Sequence, residues 1–455
     1  MAAPDQTIHF ISLGCAKNRV DSEVMLGVAQ HAGYRHVPDP AEARVILVNT
    51  CGFIDAAKQE SIEVVLEMAE HKRTGACRQL IVAGCLSQRH PRELADAMPE
   101  VDHFLGSSDM LRLAEVLHGG SDRILVGDPA AWIMGAADPR TLTTHAGSAY
   151  VKLAEGCNRE CSFCVIPALR GQQRSRPLSD LIAEVEHLAA TGVVEVNLLA
   201  QDSVAYGRDL RARVRLARAV SRIADVPGIR WVRIHYLYPE PLDAELVALW
   251  AEHPRVLPYV DIPLQHVADT MLRRMRRGYD GRRARGLVER VRREVPEVVL
   301  RTAFIVGHPG ETRAEYEELS DFVREAEFDH LGVFCYSDES GTHSQRLKGK
   351  IAPRIAESRA RRLMEIQRRI AARKNTERIG QELEVLVEGR SEEHEWVIQG
   401  RHAGQAPEID GVVYLSGAET HPGQFCRVRI TNASDYDLVG EVIPDDDRCH
   451  LITTG

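Results

Sequence analysis

Three short apolar runs near the start of the chain, TIHFISLGC, ARVILVNTC and RQLIVAGC, all end in small residues followed by a cysteine. Runs this short and this rich in β-branched residues read as buried strands. The stretches between them, VDSEVMLGVAQHAG and IDAAKQESIEVVLEMAEHKR, are helix-like, so strand and helix alternate. That alternation restricts the fold to a parallel sheet with right-handed crossovers and helices on its faces. Ligands of such sheets bind outside the carboxyl ends of the strands. Cys15, Cys51 and Cys85 stand one step past those ends, so they converge on one edge although 36 and 34 residues separate them. The alternative is that each is a small buried hydrophobe, a common role for a free cysteine.

The segment HGGSDRILVGDPAAWIMGAADPRTLTTHAGS then breaks the pattern and reads as a linker. Six further strand candidates follow, AYVKLAEG, VVEVNLLAQD, IRWVRIHYLYP, PYVDIPLQH, VVLRTAFIVG and HLGVFCYS, alternating with amphipathic helices. Six βα units imply a curved parallel sheet, closed or partly closed like a barrel, with its site at the C-terminal ends of the strands. The loop after the first of them holds Cys157, Cys161 and Cys164, in LAEGCNRECSFCVIPALRGQQRSRP. Thiolates are the usual ligands of a 4Fe–4S cluster, and three of them leave one iron open. An open coordination position is what a catalytic metal site requires. Zinc is less suited, because the next His or Cys after Cys164 is His187, inside a helix-like stretch. Cys77, Cys335, Cys426 and Cys449 have no partner at ligand spacing and read as structural.

At 455 residues two to four domains are expected. There is no run of eighteen apolar residues and no basic start followed by an apolar core, so neither a membrane span nor a secretory signal is indicated and a cytoplasmic protein is expected. Thiols stay reduced there, which favours metal over disulfides. Past the charged stretch IAPRIAESRARRLMEIQRRIAARKNTERIG, whose basic face reads as a solvated linker helix, come ELEVLVEG, EHEWVIQGR, GVVYLSG, FCRVRITNAS and DLVGEVI. Five short strands with Gly-rich turns suggest a small β-barrel. Residues 381–443 carry twelve acids against four arginines, a net charge of −8 within the −9 of the whole chain. Such a module repels phosphate and attracts a basic protein, unless its acids only aid solubility.

With its extended form GCNRECSFCVIPALRGQQRSRP, the second cysteine motif resembles the radical S-adenosylmethionine enzymes, and among them the methylthiotransferases. The likeness runs over almost the whole chain. It implies an α/β chain of an N-terminal open parallel-sheet domain (1–140), a central partial (βα)6 radical-SAM barrel (141–375) and a C-terminal all-β TRAM barrel (376–445). It also implies two 4Fe–4S clusters, on Cys157, Cys161 and Cys164 and on Cys15, Cys51 and Cys85, with S-adenosylmethionine as radical source and methyl donor. ISLGCAKNRVDSE, NTCGFIDAAKQESI, LLAQDSVAYG, YVDIPLQH and QAPEIDG resemble the branch that methylthiolates the β-carbon of an aspartate in the small-subunit ribosomal protein S-twelve. One departure is Ala16, where that branch often has Pro. The alternatives are a tRNA-adenosine methylthiotransferase, for which a basic terminal barrel is expected, and a non-catalytic iron–sulfur protein. An electron donor is required, and a monomer is expected.

The other candidate contacts carry less. Gln201 and Asp202 end the second barrel strand, where related enzymes touch the methionine amino group. Gly307, Gly310 and Glu311 of IVGHPGET follow a strand, either to admit the nucleoside or to form a tight turn into a helix. Arg233 and Arg301 are candidates to pair with carboxylates of cofactor or substrate, or to form structural ion pairs. His235, Tyr236 and His266 read as hydrogen-bonded wall residues.

Overall fold

A computed structural model describes residues 6–391, 396–417 and 419–444; Cys449 lies outside them. The first domain has strands β1 (Thr7–Ser12), β2 (Arg35–His36), β3 (Val45–Thr50), β4 (Gln79–Gly84), β5 (His103–Leu105) and β6 (Ile124–Leu125). They form one parallel sheet in the order β2-β1-β3-β4-β5-β6. The three strands that end in cysteine are its adjacent centre, with Ser12 opposite Asn49 and Thr50 opposite Gly84. Helix Ala16–His31 covers one face and helix Asp55–Ala69 follows β3.

The expected linker is not a free tether. Part of it is β6, and Arg140 bonds Glu23 of the first domain at 2.7 Å and Glu184 of the second at 2.6 Å. The second domain begins with β7 (Ser148–Lys152) and a short hairpin of β8 (Ala154–Glu155) and β9 (Arg174–Ser175). It continues through β10 (Glu195–Leu199), β11 (Trp231–Ile234), β12 (Val256–Asp261), β13 (Val299–Val306) and β14 (His330–Cys335). These make a six-stranded parallel sheet, β14-β13-β12-β11-β10-β7, whose two edges do not pair among the described residues. It is therefore a partial barrel. The outer helices bury one stripe each; helix Leu216–Ala224, for example, buries Leu216, Val220 and Ile223 against the strands.

Helix Pro353–Thr376 departs from a purely solvated linker. Its basic face is exposed, but Ala356, Leu363, Gln367, Ile370 and Ala371 fall on one face and are buried beside β14, the open edge of the sheet. Covering an edge removes a row of unpaired backbone groups from solvent. The last module is a closed barrel of β15 (Glu382–Arg390), β16 (Ile398–His402), β17 (Val413–Ser416), β18 (Phe425–Ala433) and β19 (Leu438–Val442), in the order β15-β16-β17-β19-β18. It sits under the partial barrel, where Leu386 and Ala406 pack with Val194, Trp231, Leu257, Tyr259 and Val299. No helix among the described residues is long and apolar enough to cross a membrane.

Candidate active site

Cys157, Cys161 and Cys164 lie between β8 and the short helix Ile166–Arg170, at the C-terminal end of the sheet. Each sulfur has its own N–H donor: the Arg159 amide to Cys157 at 3.4 Å, the Ile166 amide to Cys164 at 3.5 Å, and Arg277 Nη1 to Cys161 at 3.1 Å. Arg277 stacks on Tyr238 at 4.5 Å, and Arg159 stacks on the same ring at 3.8 Å. Burial pushes the Cys157 thiol up and the Cys164 thiol up to about 12, each only partly offset by its backbone donor. These thiols must therefore lose protons to bind metal, and N–H donors to the sulfurs favour the ligated form.

The other three cysteines meet across β1, β3 and β4, and the charge of each acts on the others. Gly14, at φ 92°, makes this approach possible, since a Cβ there would stand 2.9 Å from Cys51 Cβ. Burial pushes the Cys51 thiol up to about 11. Cys85 is also pushed up by burial, with Arg170 acting against it. Among the described residues, no group of three His, Cys, Asp or Glu side chains is gathered for a single metal ion.

The strand-end edge of the first domain faces the mouth of the second. Arg170, six residues after Cys164, joins them: it donates to Cys85 Sγ at 3.4 Å, Asn18 Oδ1 at 2.5 Å and Asp21 Oδ2 at 2.7 Å, and lies 3.6 Å from Glu155. Lys152 bonds Glu155 at 2.8 Å and also Asp21. All four charged groups are buried, and two cations face two carboxylates. Packing of Cys85 against Val165 and Leu169 closes the same junction.

The remaining candidates divide. Gln201 donates to Glu155 at 2.7 Å and Asp202 accepts from Arg159 at 2.6 Å, while Gln201 Oε1 and Asp202 Oδ1 are buried without partners among the described residues. Both sit beside the second cysteine set, and two unpartnered acceptors there fit a ligand that carries an ammonium group. Arg233 and Arg301 are not brought to this mouth. Arg233 is fully buried on Glu195 at 3.2 Å and the Ala403 carbonyl at 2.9 Å; Arg301 lies 3.8 Å from Asp261 and 3.6 Å from Asp410. Each has one of these partners in the second domain and one in the terminal module, the arrangement of the structural ion pairs that the sequence also offered.

Gly307 and Gly310 form the tight turn. Gly307 (φ 78°) gives its amide to Glu311 Oε2 at 2.6 Å, and a Cβ there would meet Ala356 Cβ at 2.4 Å. A Cβ on Gly310 would meet the Arg274 guanidinium. Helix packing and the turn thus account for both glycines. His235 and His266 are wall residues, 3.4 Å from Asn197 and 3.3 Å from Glu311. Cys77 is buried in the first domain's core and Cys426 lies in the terminal barrel; Cys335 is exposed. Arg159, Arg277 and Arg170 were missed as site residues. Arg159, between two of the cysteines, and Arg170, in the Arg- and Gly-bearing run that follows them, had a signal in their positions; Arg277 had none.

A thiol triplet at the mouth of a parallel partial barrel, with unpartnered acceptors beside it, defines a radical S-adenosylmethionine enzyme. Residues 151–323 match the Radical SAM superfamily, residues 379–443 the TRAM domain, and residues 7–106 a family described as uncharacterized protein family UPF0004. The chain belongs to the RimO family of methylthiotransferases. The ribosomal protein uS12 methylthiotransferase RimO of Sorangium cellulosum (strain So ce56) is 66% identical over 446 residues, covering 97% of this chain and 91% of that relative. The protein of the same name from Anaeromyxobacter sp. (strain K) is 49% identical over 440 residues, covering 96% and 94%. Among solved structures, the radical S-adenosylmethionine methyltransferase TsrM from Kitasatospora setae, with tryptophan and an aza-SAM analog bound, is similar with a TM-score of 0.53 at 15% identity, over 72% of this chain and 73% of that one. That likeness concerns the fold alone.

Proposed function

We propose that the protein inserts a methylthio group at the β-carbon of an aspartate of ribosomal protein uS12, in the cytoplasm, as a monomer supplied by an electron donor. Cys157, Cys161 and Cys164 would hold one 4Fe–4S cluster, and Cys15, Cys51 and Cys85 a second. When bound, the clusters and S-adenosylmethionine supply hydrogen-atom abstraction, a sulfur donor and a methyl donor. The chain's own residues do the positioning. Arg159 and Arg277 fix the second cysteine loop through paired carboxylates, a sulfur and a shared aromatic ring. Gln201 and Asp202 offer acceptors to the methionine ammonium, and the turn at Gly307 and Gly310 bounds the same mouth. The units are taken as residues 1–140, 141–375 and 376–445.

The observation that carries this reading is the buried junction of the two cysteine sets, in which Arg170 touches Cys85 and, through Glu155, reaches Gln201. A reaction that abstracts hydrogen and then delivers sulfur to the same carbon needs both sites within reach of it. Charge favours a protein substrate. Of the module's four arginines, Arg401 is buried on Glu195 and Glu388, and Arg427 and Arg429 are both held by Glu382. Little positive charge is left for phosphate. The test is intact-protein mass spectrometry of small-subunit ribosomal proteins from cells with and without the gene. Loss of one S–CH3 in place of H on a uS12 aspartate is expected in its absence; an unchanged uS12 with a methylthio nucleoside missing from tRNA overturns the reading.

A further inference from the structure

The junction holds a third buried cation, Lys17, that forms no ion pair with its carboxylates among the described residues. Lys17 is 9% exposed, in the first turn of helix Ala16–His31, two residues from Cys15. A cation at a helix N-terminus opposes the helix dipole, so the local backbone gives no reason for it. Asp21 and Glu155 are taken by Lys152 and Arg170. Among the described residues, Lys17 Nζ has neither a carboxylate nor a hydrogen-bond acceptor; its one close contact is the face of Tyr236, 3.6 Å from the ring centroid. The negative charges that act on it are those of Cys15 and, more weakly, Glu155, and neither forms an ion pair with it; a cation–π contact offsets only part of the remaining cost of burial.

Tyr236 comes from the opposite domain, just past β11. Its backbone is in the left-handed region (φ 59°), and its amide is tied to Asp261 Oδ2 at 3.0 Å. A non-glycine residue held there is a conformation the surroundings impose. The result is a ring aimed at Lys17. The Tyr236 hydroxyl likewise has no partner among the described residues, and the charge of Cys15 acts on it. One ammonium and one phenol, each without a hydrogen-bond acceptor among the described residues, therefore meet beside Cys15 where the first two domains join. Two convergent donors of this kind suit a carboxylate.

We propose that Lys17, assisted by the Tyr236 hydroxyl, binds the side-chain carboxylate of the target aspartate and so sets the enzyme's preference for an acidic residue. This rests on the uS12 reading above. A carboxylate held there puts the adjacent β-carbon in the junction beside Cys15, and an asparagine or a nucleobase leaves the ammonium unpaired. Discrimination of that origin is large because the penalty falls on a buried charge.

The test uses full-length, cluster-loaded enzyme and recombinant uS12, wild type or with its target aspartate replaced by asparagine, with affinity read by anisotropy of labelled uS12. Wild-type enzyme is expected to prefer the aspartate form at least tenfold, Lys17→Met to bind both forms alike, and Lys17→Arg to keep most of the preference. Equal binding of the two forms by wild-type enzyme overturns the inference without recourse to any variant. So does a Lys17→Met enzyme that still discriminates, whether or not it keeps its iron; loss of iron with it would show that Lys17 serves the cluster. If wild-type enzyme leaves uS12 unmodified in the mass-spectrometric assay, the function itself fails and takes this inference with it.

Discussion

Arg170 holds three kinds of partner with one guanidinium: a carboxylate, an amide oxygen and a cysteine sulfur. Its planar fork suits this, and a lysine in its place would reach one or two of them. Arg170→Met leaves Asp21 buried with half its compensation, and removing one member of a buried ion pair costs about 3–5 kcal/mol. The variant is expected to melt well below the wild type, and adding Asp21→Asn to recover part of the loss; strictly additive effects in a double-mutant cycle would contradict the coupling. If the two cysteine sets hold separate clusters, as proposed, Cys161→Ala and Cys51→Ala are each expected to lose about half of the bound iron, because each belongs to a different set of three cysteines. Iron assay after anaerobic reconstitution checks this. Loss of all iron from either variant would mean a single shared site.

At the level of the element, the strands that end in cysteine were legible because a parallel strand buried on both faces leaves an unbroken apolar run. The two- and three-residue strands β2, β5 and β6 were not legible, since nothing that short carries a period. Helix Pro353–Thr376 was recognisable as a helix, but its buried stripe was masked by the many arginines of its outer face. Gly307 records that packing. Its φ of 78° disfavours any side chain, and its missing Cβ makes room for Ala356. Gly307→Ala is therefore expected to destabilise by about 1–2 kcal/mol from the backbone alone, and further from the clash. Ala356→Gly should relieve only the second part. Urea unfolding of the single and double variants separates the two, and full restoration by Ala356→Gly would refute the backbone contribution.

Across the whole molecule, the meaning of Arg233 and Arg301 could not be read locally, because their partners lie in other strands and in the terminal module. Glu195 shows why. Burial alone would raise this carboxyl, but Arg401, and then Arg233, outweigh it and hold it down at about 2, against an ordinary value of 4.5. A carboxyl lowered on folding adds stability above its unfolded value and loses it as pH falls through the folded one. The docking of the terminal barrel should therefore weaken progressively from about pH 4.5 towards pH 2. Glu195→Gln is expected to be less stable at neutral pH and to change less across that window. Thermal melts at stepped pH measure this, and parallel curves for variant and wild type would count against it.

The same ion pair bears on how the protein is made. Glu195 and Arg401 are 206 residues apart, so a ribosome completes the partial barrel long before it makes the cation that neutralises its floor. Until then the nascent second domain carries a carboxylate at its centre beside Arg233 alone, with Trp231, Leu257 and Tyr259 uncovered beneath it. A message truncated ahead of the last module would release a chain with an open, sticky underside, which proteases and chaperones would meet first. Docking of this barrel thus covers the underside of the second domain only after that domain's own strands have been made.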